Sequence, residues 1–263
     1  MSYYEIRDPV HGFIQINDWE RQIINDPVFQ RLRRIKQLAW TDMVYPGAMH
    51  NRFEHSLGVM YVADKIFNVI TQKDWPFLEK ELRFDSQGLG RDRALLRIAC
   101  LIHDVGHSPF SHAGEDLMQI DPNKGKPYKH EHYSAAIVRY LLKDAIEDHV
   151  LNENYHITAE EVAGFLEGST ARFGRSLLWR DLLSSQLDAD RADYLLRDSH
   201  HCGVTYGHYD LNRLLVTMTI GLSETGSPIL ALEEGGIHVA EAFNFSSLSN
   251  VYPSLFSAYK ESI

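Results

Sequence analysis

The sequence predicts a mainly α-helical bundle with small β-hairpins at the N-terminus and near residues 228–238. Three observations carry this expectation. Apolar residues recur at helical spacing over several long segments, whereas alternation is confined to short stretches. With 44% hydrophobic and 24% charged residues among 263, the composition is that of a globular chain able to bury a large core. No apolar run is long enough to span a bilayer, so the apolar helices belong to a protein core.

Tyr4-Glu5-Ile6-Arg7 and Phe13-Ile14-Gln15-Ile16 alternate around Asp8-Pro9-Val10-His11-Gly12, a turn signal, so residues 3–17 predict a hairpin. Trp19 to Leu38 has helical spacing, with Pro27 opening a second helix at its first turn. Leu57, Met60, Ala63, Ile66, Phe67 and Ile70 share one face of a helix over 55–71. Leu95, Leu96, Ile98, Ala99, Leu101 and Ile102 do the same over 91–104. That helix is nearly all apolar and is expected to be deeply buried, with Pro109 after its end. Further helices are expected over 131–145, from the capping box Thr158-Ala159-Glu160-Glu161 toward Gly168, and from about Leu177 to His201, closed by Gly203. Pro228-Ile229-Leu230-Ala231-Leu232 before Glu233-Glu234-Gly235-Gly236 reads as a strand and a turn.

The net charge of −10 gives the chain no basic footprint for a nucleic-acid backbone; a phosphate ligand needs cations clustered at one site. Met1-Ser2-Tyr3-Tyr4-Glu5 lacks the basic-then-apolar pattern of a signal peptide, so the expected location is the cytoplasm, without a membrane partner. Cys100 reads as a core residue, and it and Cys202 are in no zinc-type spacing. Cytosolic chemistry argues against a disulfide between them. The fourteen histidines fall in short clusters, among them His50 and His55, His103, His107 and His112, and His130 and His132. Such clustering points to metal or acid–base chemistry.

His103-Asp104 ends the buried helix, where an ionised carboxylate is costly unless paired or metal-bound. An isolated His-Asp pair is most often an ordinary buried hydrogen bond. Here it opens the string His-Asp-Val-Gly-His-Ser-Pro-Phe-Ser-His, in which Gly106 and Pro109 break the helix and turn His107 and His112 back toward the pair. With His55 and Asp190 the pair makes a donor set of two imidazoles and two carboxylates. That set suits a divalent ion such as Mn, Mg, Fe, Ni or Zn rather than a thiolate-loving metal.

The ordered set His55 … His103-Asp104 … Asp190 resembles the HD-domain superfamily of metal phosphohydrolases, and more narrowly its dNTP triphosphohydrolase branch. The matching segments are Arg7 to Gly12, Phe29 to Leu38, Tyr45 to Gly58, His103 to His112, His130-Glu131 and Asp188 to Asp198, and the likeness spans about residues 4–241. It implies an HD-domain helical bundle, with His55, His103, Asp104 and Asp190 as metal ligands. It also implies an active-site set of His107, His112, Glu115 and His130. Glu115 would orient His130 as the proton donor to the leaving group, and His112 would contact the α-phosphate. Arg52 and Arg191 would contact phosphate, and Gln37, Leu38, Tyr194 and Asp198 would form the sugar pocket. On residue type alone, Arg52 reads equally as the partner of a nearby acid such as Glu54, and Leu38 as plain core.

The resemblance further implies a dNTP substrate, a nucleotide effector and a homo-oligomer, dimer or tetramer. Asn25, Gln30 and Arg33 fall at positions where some relatives recognise an effector guanine. Asn25 departs from their Asp, and an amide carbonyl accepts fewer hydrogen bonds than a carboxylate. Before Asp26-Pro27 it reads equally as a helix cap. After Glu241 the likeness fades, so 1–241 is expected to be the core and 242–263 a divergent or shortened tail. The implied reaction is dNTP plus water to deoxynucleoside plus triphosphate. Two other readings stay open: a phosphohydrolase acting on nucleoside monophosphates or another phosphate ester, and a non-catalytic nucleotide-binding regulator.

Overall fold

A computed structural model describes residues 3–122, 124–168, 173–205 and 207–248. Strands β1 (Tyr3–Asp8) and β2 (Gly12–Asn17) form the expected antiparallel hairpin, in register from Tyr3 opposite Asn17 to Asp8 opposite Gly12. The alternation turns Ile14 and Ile16 into the core. Asn17 then caps α1 (Asp18–Asn25) in a capping box with Glu20. The next cap is Asp26 rather than Asn25. Asn25 is the last residue of α1, and the Asp26 carboxylate accepts from Val28 N at 2.8 Å to start α2 (Pro27–Gln30). A 3₁₀ segment, Arg31–Arg34, follows, so the helical stretch stops short of Leu38.

The bundle is built on α3 (Arg52–Lys73), which opens with a capping box between Asn51 and Glu54. Its six periodic residues from Leu57 to Ile70 are all at most 3% exposed. The five larger ones each contribute roughly 1.5–3 kcal/mol of burial relative to an exposed position, Ala63 less. After α4 (Trp75–Lys80), Asp85 caps α5 (Ser86–Ile102), whose apolar face packs along α3. Both cysteines are free, Cys100 buried in α5.

Two predicted helices are each interrupted. The segment over 131–145 is α6 (His130–Tyr140) and α7 (Lys143–Glu147). The amides of Leu141 and Leu142 both fold back to Ile137 O, at 2.8 and 3.1 Å, and the kink lets Leu142 and Ile146 both reach the core. Next, α8 (Ala159–Glu167) has the expected Thr158 capping box and the left-handed Gly168. The segment from Leu177 to His201 is a 3₁₀ stretch, Gly174–Leu182, and then α9 (Ala189–Cys202). Asp188 breaks the continuity: its carboxylate accepts from Ser185 N at 3.0 Å and Arg191 N at 2.8 Å, which caps a new helix. Gly203 closes α9 as expected, with φ of 68°.

The chain continues through α10 (Leu211–Thr217) into a second antiparallel hairpin, β3 (Met218–Leu222) and β4 (Pro228–Leu232). The last described element, α11 (Ile237–Leu248), runs across Glu241 and buries Phe243 edge-on against Tyr209 at 5.1 Å. Residues 249–263 of the expected tail lie outside the described residues. No described helix is long and apolar enough to cross a membrane.

An ion network ties α1, α3 and α5 together. Asp64 accepts from Arg93 at 2.6 and 2.9 Å and pairs with Arg97 at 2.9 Å, while Arg97 also donates to Glu20 at 2.6 and 2.8 Å. Burial pushes the Asp64 carboxyl up, but the two arginines outweigh it and hold it below its ordinary range. A depressed carboxyl stabilises the fold above its unfolded pKa and loses that contribution as pH falls. We expect Asp64→Asn to cost about 1–2 kcal/mol, since Arg93 is part-exposed and screened. Urea unfolding should show this deficit at pH 7 and a smaller one at pH 3; equal deficits at both would rule out an ionic origin.

A candidate metal centre and its acid–base cluster

His103 caps the C-terminal end of α5, and Asp104 follows in a turn. The His103 Nδ1 lies 2.7 Å from Cys100 O. A carbonyl only accepts, so Nδ1 carries the proton and Nε2 presents its lone pair. That Nε2 is buried and has no hydrogen-bond partner. His55 comes from the first turn of α3 and Asp190 from the first turn of α9, and donor atoms of His55, His103 and Asp190 all lie within 4.8 Å of one another. Asp104 adjoins them, its carboxylate 3.4 Å from His103 Nε2 and 3.7 Å from His55 Nε2. An orphaned imidazole nitrogen facing this mixed nitrogen and oxygen set fits a divalent ion.

The surroundings are polarised for a cation. Burial opposes the His55 imidazolium, yet the hydrogen bonds and charges of Asp190 and Asp193 outweigh burial and raise its pKa to about 10. A divalent ion would compete with that proton. Burial also pushes Asp104 up, but the Arg52 guanidinium and the neighbouring histidines hold it well below the carboxylate range.

Behind the donors stands a layer of buried charge. His55 Nδ1 lies 2.8 Å from Asp193 Oδ2. Asp193 is itself held by His11 Nε2 at 2.6 Å and by two Arg197 bonds at 2.9 and 2.8 Å, and Arg197 donates to Asp8 at 2.8 Å. Such partners fix the orientation of a metal-ligating imidazole and raise its basicity.

The second cluster gathers His107, His112, Glu115 and His130, with ligand atoms within 4.8 Å of one another. Gly106 permits it. Its amide donates to Ser134 Oγ at 2.9 Å, and a Cβ there would run into the backbone of His130 and Ser134, so only glycine lets α6 approach this closely. The approach stacks His130 on His107 with ring centroids 3.8 Å apart. Arg31 fastens the same turn from outside by donating to the carbonyls of His107 and Val105. Arg52 donates to both Asp104 and Ser111. Ser111 sits at φ 54°, a left-handed conformation rare outside glycine, which starts the segment carrying His112 and Glu115.

His130 Nδ1 lies 2.5 Å from Glu115 Oε1. Burial disfavours the His130 cation, but Glu115, with help from Asp104, raises its pKa nonetheless. Reciprocally, burial pushes Glu115 up and His130 pulls it down to about 2. His107 and His112 behave oppositely. Burial first and the Arg52 charge second lower both, His107 strongly. The cluster therefore holds one imidazole poised to be cationic beside two poised to be neutral.

The sequence matches the HD domain family over residues 52–198. The chain belongs to the HD domain family. Among its relatives are the uncharacterized protein YwfO of Bacillus subtilis, 33% identical over 91% of this chain and 48% of that protein, and the deoxynucleoside triphosphate triphosphohydrolases SAMHD1 of Gallus gallus and Homo sapiens. The last two are 34% and 33% identical over 79% and 80% of this chain and 35% of each relative. A crystal structure of a phosphohydrolase from Bacteroides thetaiotaomicron superposes with a TM-score of 0.73 at 30% identity, covering 95% of this chain and 53% of that one. The chain thus spans about half the length, or less, of these relatives.

Within this HD domain, a cleft of about 350 Å³ over the donor set is lined by Gln37, Leu38, Arg52, His112, His130 and Tyr194, among others. Arg52 pairs with Asp104, not with Glu54, whose side chain accepts from Asn51 N. Two expected substrate residues lie apart from that lining. Asp198 is buried with His50 Nε2 at 2.7 Å, and Arg191 is part-exposed, 3.9 Å from Asp188. The expected effector residues lie close together near the end of α1 and on α2 and the 3₁₀ segment after it. Gln30 donates to Ile24 O at 2.7 Å and accepts from Arg33 at 2.8 Å, Arg33 covers the Phe53 ring at 3.5 Å, and Asn25 lines a separate surface concavity with Arg21 and His149. Sequence reasoning missed Asp193, His11, Arg197, Asp8 and Arg31. The available signals were the spacing of Asp190 and Asp193, one helical turn apart, and the density of charge in Asp8-Pro9-Val10-His11.

Proposed function

We propose that the chain is a metal-dependent phosphohydrolase that converts a dNTP to deoxynucleoside and triphosphate. One observation supports the proposal: a single cleft is lined by Asp104 and Asp190 of the donor set, by Arg52, His112 and His130, and by Gln37, Leu38 and Tyr194. The similarity to proteins named deoxynucleoside triphosphate triphosphohydrolases supports the substrate class.

A divalent ion held by His55, His103, Asp104 and Asp190 would supply a Lewis acid for a phosphate oxygen. The chain supplies the rest. Arg52 is fixed by Asp104 and Ser111, and its Nε is buried without a hydrogen-bond partner, so it offers charge to phosphate from a preset position. Glu115 holds His130 at Nδ1, which leaves the proton on Nε2 for the departing oxygen. The Gln37 Oε1 is buried and unpartnered and can accept from a sugar hydroxyl. Leu38, 6% exposed beside it, adds an apolar wall.

Incubation with each dNTP and Mn or Mg should release unphosphorylated deoxynucleoside and triphosphate; dNMP and pyrophosphate would sink the proposal. Glu115→Gln should strip His130 of its main support. The basic limb of the kcat/KM profile should then move to lower pH by about one unit. An unmoved limb would exclude His130 as the acid.

A further inference from the structure

A separate cleft, of about 350 Å³, shares no lining residue with the cleft over the donor set. It is formed by the first hairpin, α1, α3, α5 and the 3₁₀ segment Val150–Asn154 with Tyr155 after it. Its size is that of a small-molecule site. Four rings line it: Tyr3 and Phe13 from the hairpin, Tyr61 from α3, and Tyr155. Tyr3 and Phe13 are 61% and 56% exposed, and large exposed rings grouped at one concavity mark a binding groove. The carboxylates of this cleft are covered, because Glu20 and Asp64 are bonded by Arg97 and Arg93. Lys65 is left over. It is exposed, its Nζ lies 5.2 Å from the Tyr61 ring centroid, and it has no acidic partner among the described residues. The Arg93 side chain is 44% exposed beside it. Three cations and two carboxylates give the cleft one surplus positive charge, in a chain of net charge −10. A single surplus charge next to ring faces suits a planar ring that bears one carboxylate. A phosphate chain would be repelled by Glu20 and Asp64.

This cleft also reaches the metal centre by contact. Tyr61 packs on His11, with ring centroids 5.1 Å apart at 32°. His11 Nε2 lies 2.6 Å from Asp193 Oδ1, and Asp193 Oδ2 lies 2.8 Å from His55 Nδ1. Packed rings and buried hydrogen bonds of this kind carry coupling between sites. We propose that the cleft binds an aromatic monocarboxylate, its ring against Phe13 and Tyr61 and its carboxylate at Lys65 and Arg93, and that occupancy strengthens metal binding through Tyr61 and His11. The site lies outside the substrate cleft, and its ligand is an effector rather than a substrate.

The probe is 2-naphthoate, a fluorescent planar monocarboxylate. Titrated into metal-depleted protein, it should bind the wild type, and about fivefold more weakly Lys65→Glu and Phe13→Ala. Both side chains are exposed, so both variants keep the fold. Lys65→Arg should stay within about twofold of the wild type. The uncharged alcohol 2-naphthylmethanol should bind about tenfold more weakly than the acid. Saturating 2-naphthoate should raise Mn affinity about fivefold, and Mn should raise 2-naphthoate affinity by the same factor. In Lys65→Glu the probe concentration that gives half of this shift should rise in step with the weaker binding. Absence of wild-type binding, equal binding by both weakened variants, or equal binding of the alcohol overturns the site. Binding that leaves Mn affinity unchanged, or a shift that ignores Lys65→Glu, overturns the coupling. A protein that binds the probe through Lys65 and Phe13 but takes up no Mn keeps the site and removes the metal reading together with the coupling.

Discussion

His103→Ala should release the metal and lower hydrolysis by about three orders of magnitude, while the metal-free protein unfolds at nearly the wild-type denaturant concentration. The imidazole sits at the C-terminal end of α5, and its hydrogen bond among the described residues is a local one to Cys100 O. Its removal opens space at the edge of the core rather than within it. Its Nε2, by contrast, is the orphaned buried donor atom facing His55 and Asp190. Loss of one ligand from a four-residue set removes the charge stabilisation of the phosphoryl group, worth several kcal/mol, at about 1.4 kcal/mol per tenfold in rate. Elemental analysis after gel filtration reads the first effect and steady-state kinetics the second. Full metal occupancy in the variant would refute the assignment of this site. Asp104→Asn should go further, because Arg52 then loses its buried counter-charge, and the variant should unfold at lower denaturant even without metal.

Asp193→Asn should be the most destabilising single change around the centre, costing about 3–5 kcal/mol. Asp193 is fully buried and takes bonds from His11, His55 and Arg197 at once. The amide keeps the shape but removes the charge, leaving Arg197 buried with Asp8 at 2.8 Å and Glu54 at 3.7 Å as its carboxylate partners. Burial pushes the Asp193 carboxyl up, but Arg197 and the two histidines hold it well below the ordinary range. Its contribution is therefore present above the unfolded carboxyl pKa and drains away as the solution is acidified. Chelator-treated protein isolates this term from metal binding. Metal titration of the folded variant should show a further loss of about 10- to 100-fold in affinity, because His55 is no longer oriented. A variant as stable as the wild type at pH 7 would show that Asp193 is not a structural charge.

Local patterns proved legible and distant ones did not. The faces of α3 and α5 follow from apolar spacing because each buries one continuous stripe. His103-Asp104 stands out because the two are adjacent and end an apolar helix. The break between Leu182 and Ala189 was hidden because the 3₁₀ stretch keeps near-helical spacing, and what stops it is a side chain, Asp188, bonding to amides on both flanks. His11 reads locally as part of a turn. Its role depends on a partner 182 residues away, and nothing in either local sequence specifies that meeting. Asp198 shows both cases. Helical spacing puts it on the face of Asp190 and Tyr194, while its contact with His50, 148 residues away in sequence, is not signalled by either local pattern.

The Asp8–Arg197–Asp193–His55 chain of contacts joins the first hairpin to α3 and α9. Ordering His55 thus requires closure across 189 positions of sequence, and such long-range contacts form late because the loop entropy must be lost first. High-affinity metal uptake is then a reporter of completed folding, arriving only once the N-terminal hairpin has docked. A chain that has collapsed around α3 and α5 but not yet seated His11 would hold its helices and take up the ion only weakly.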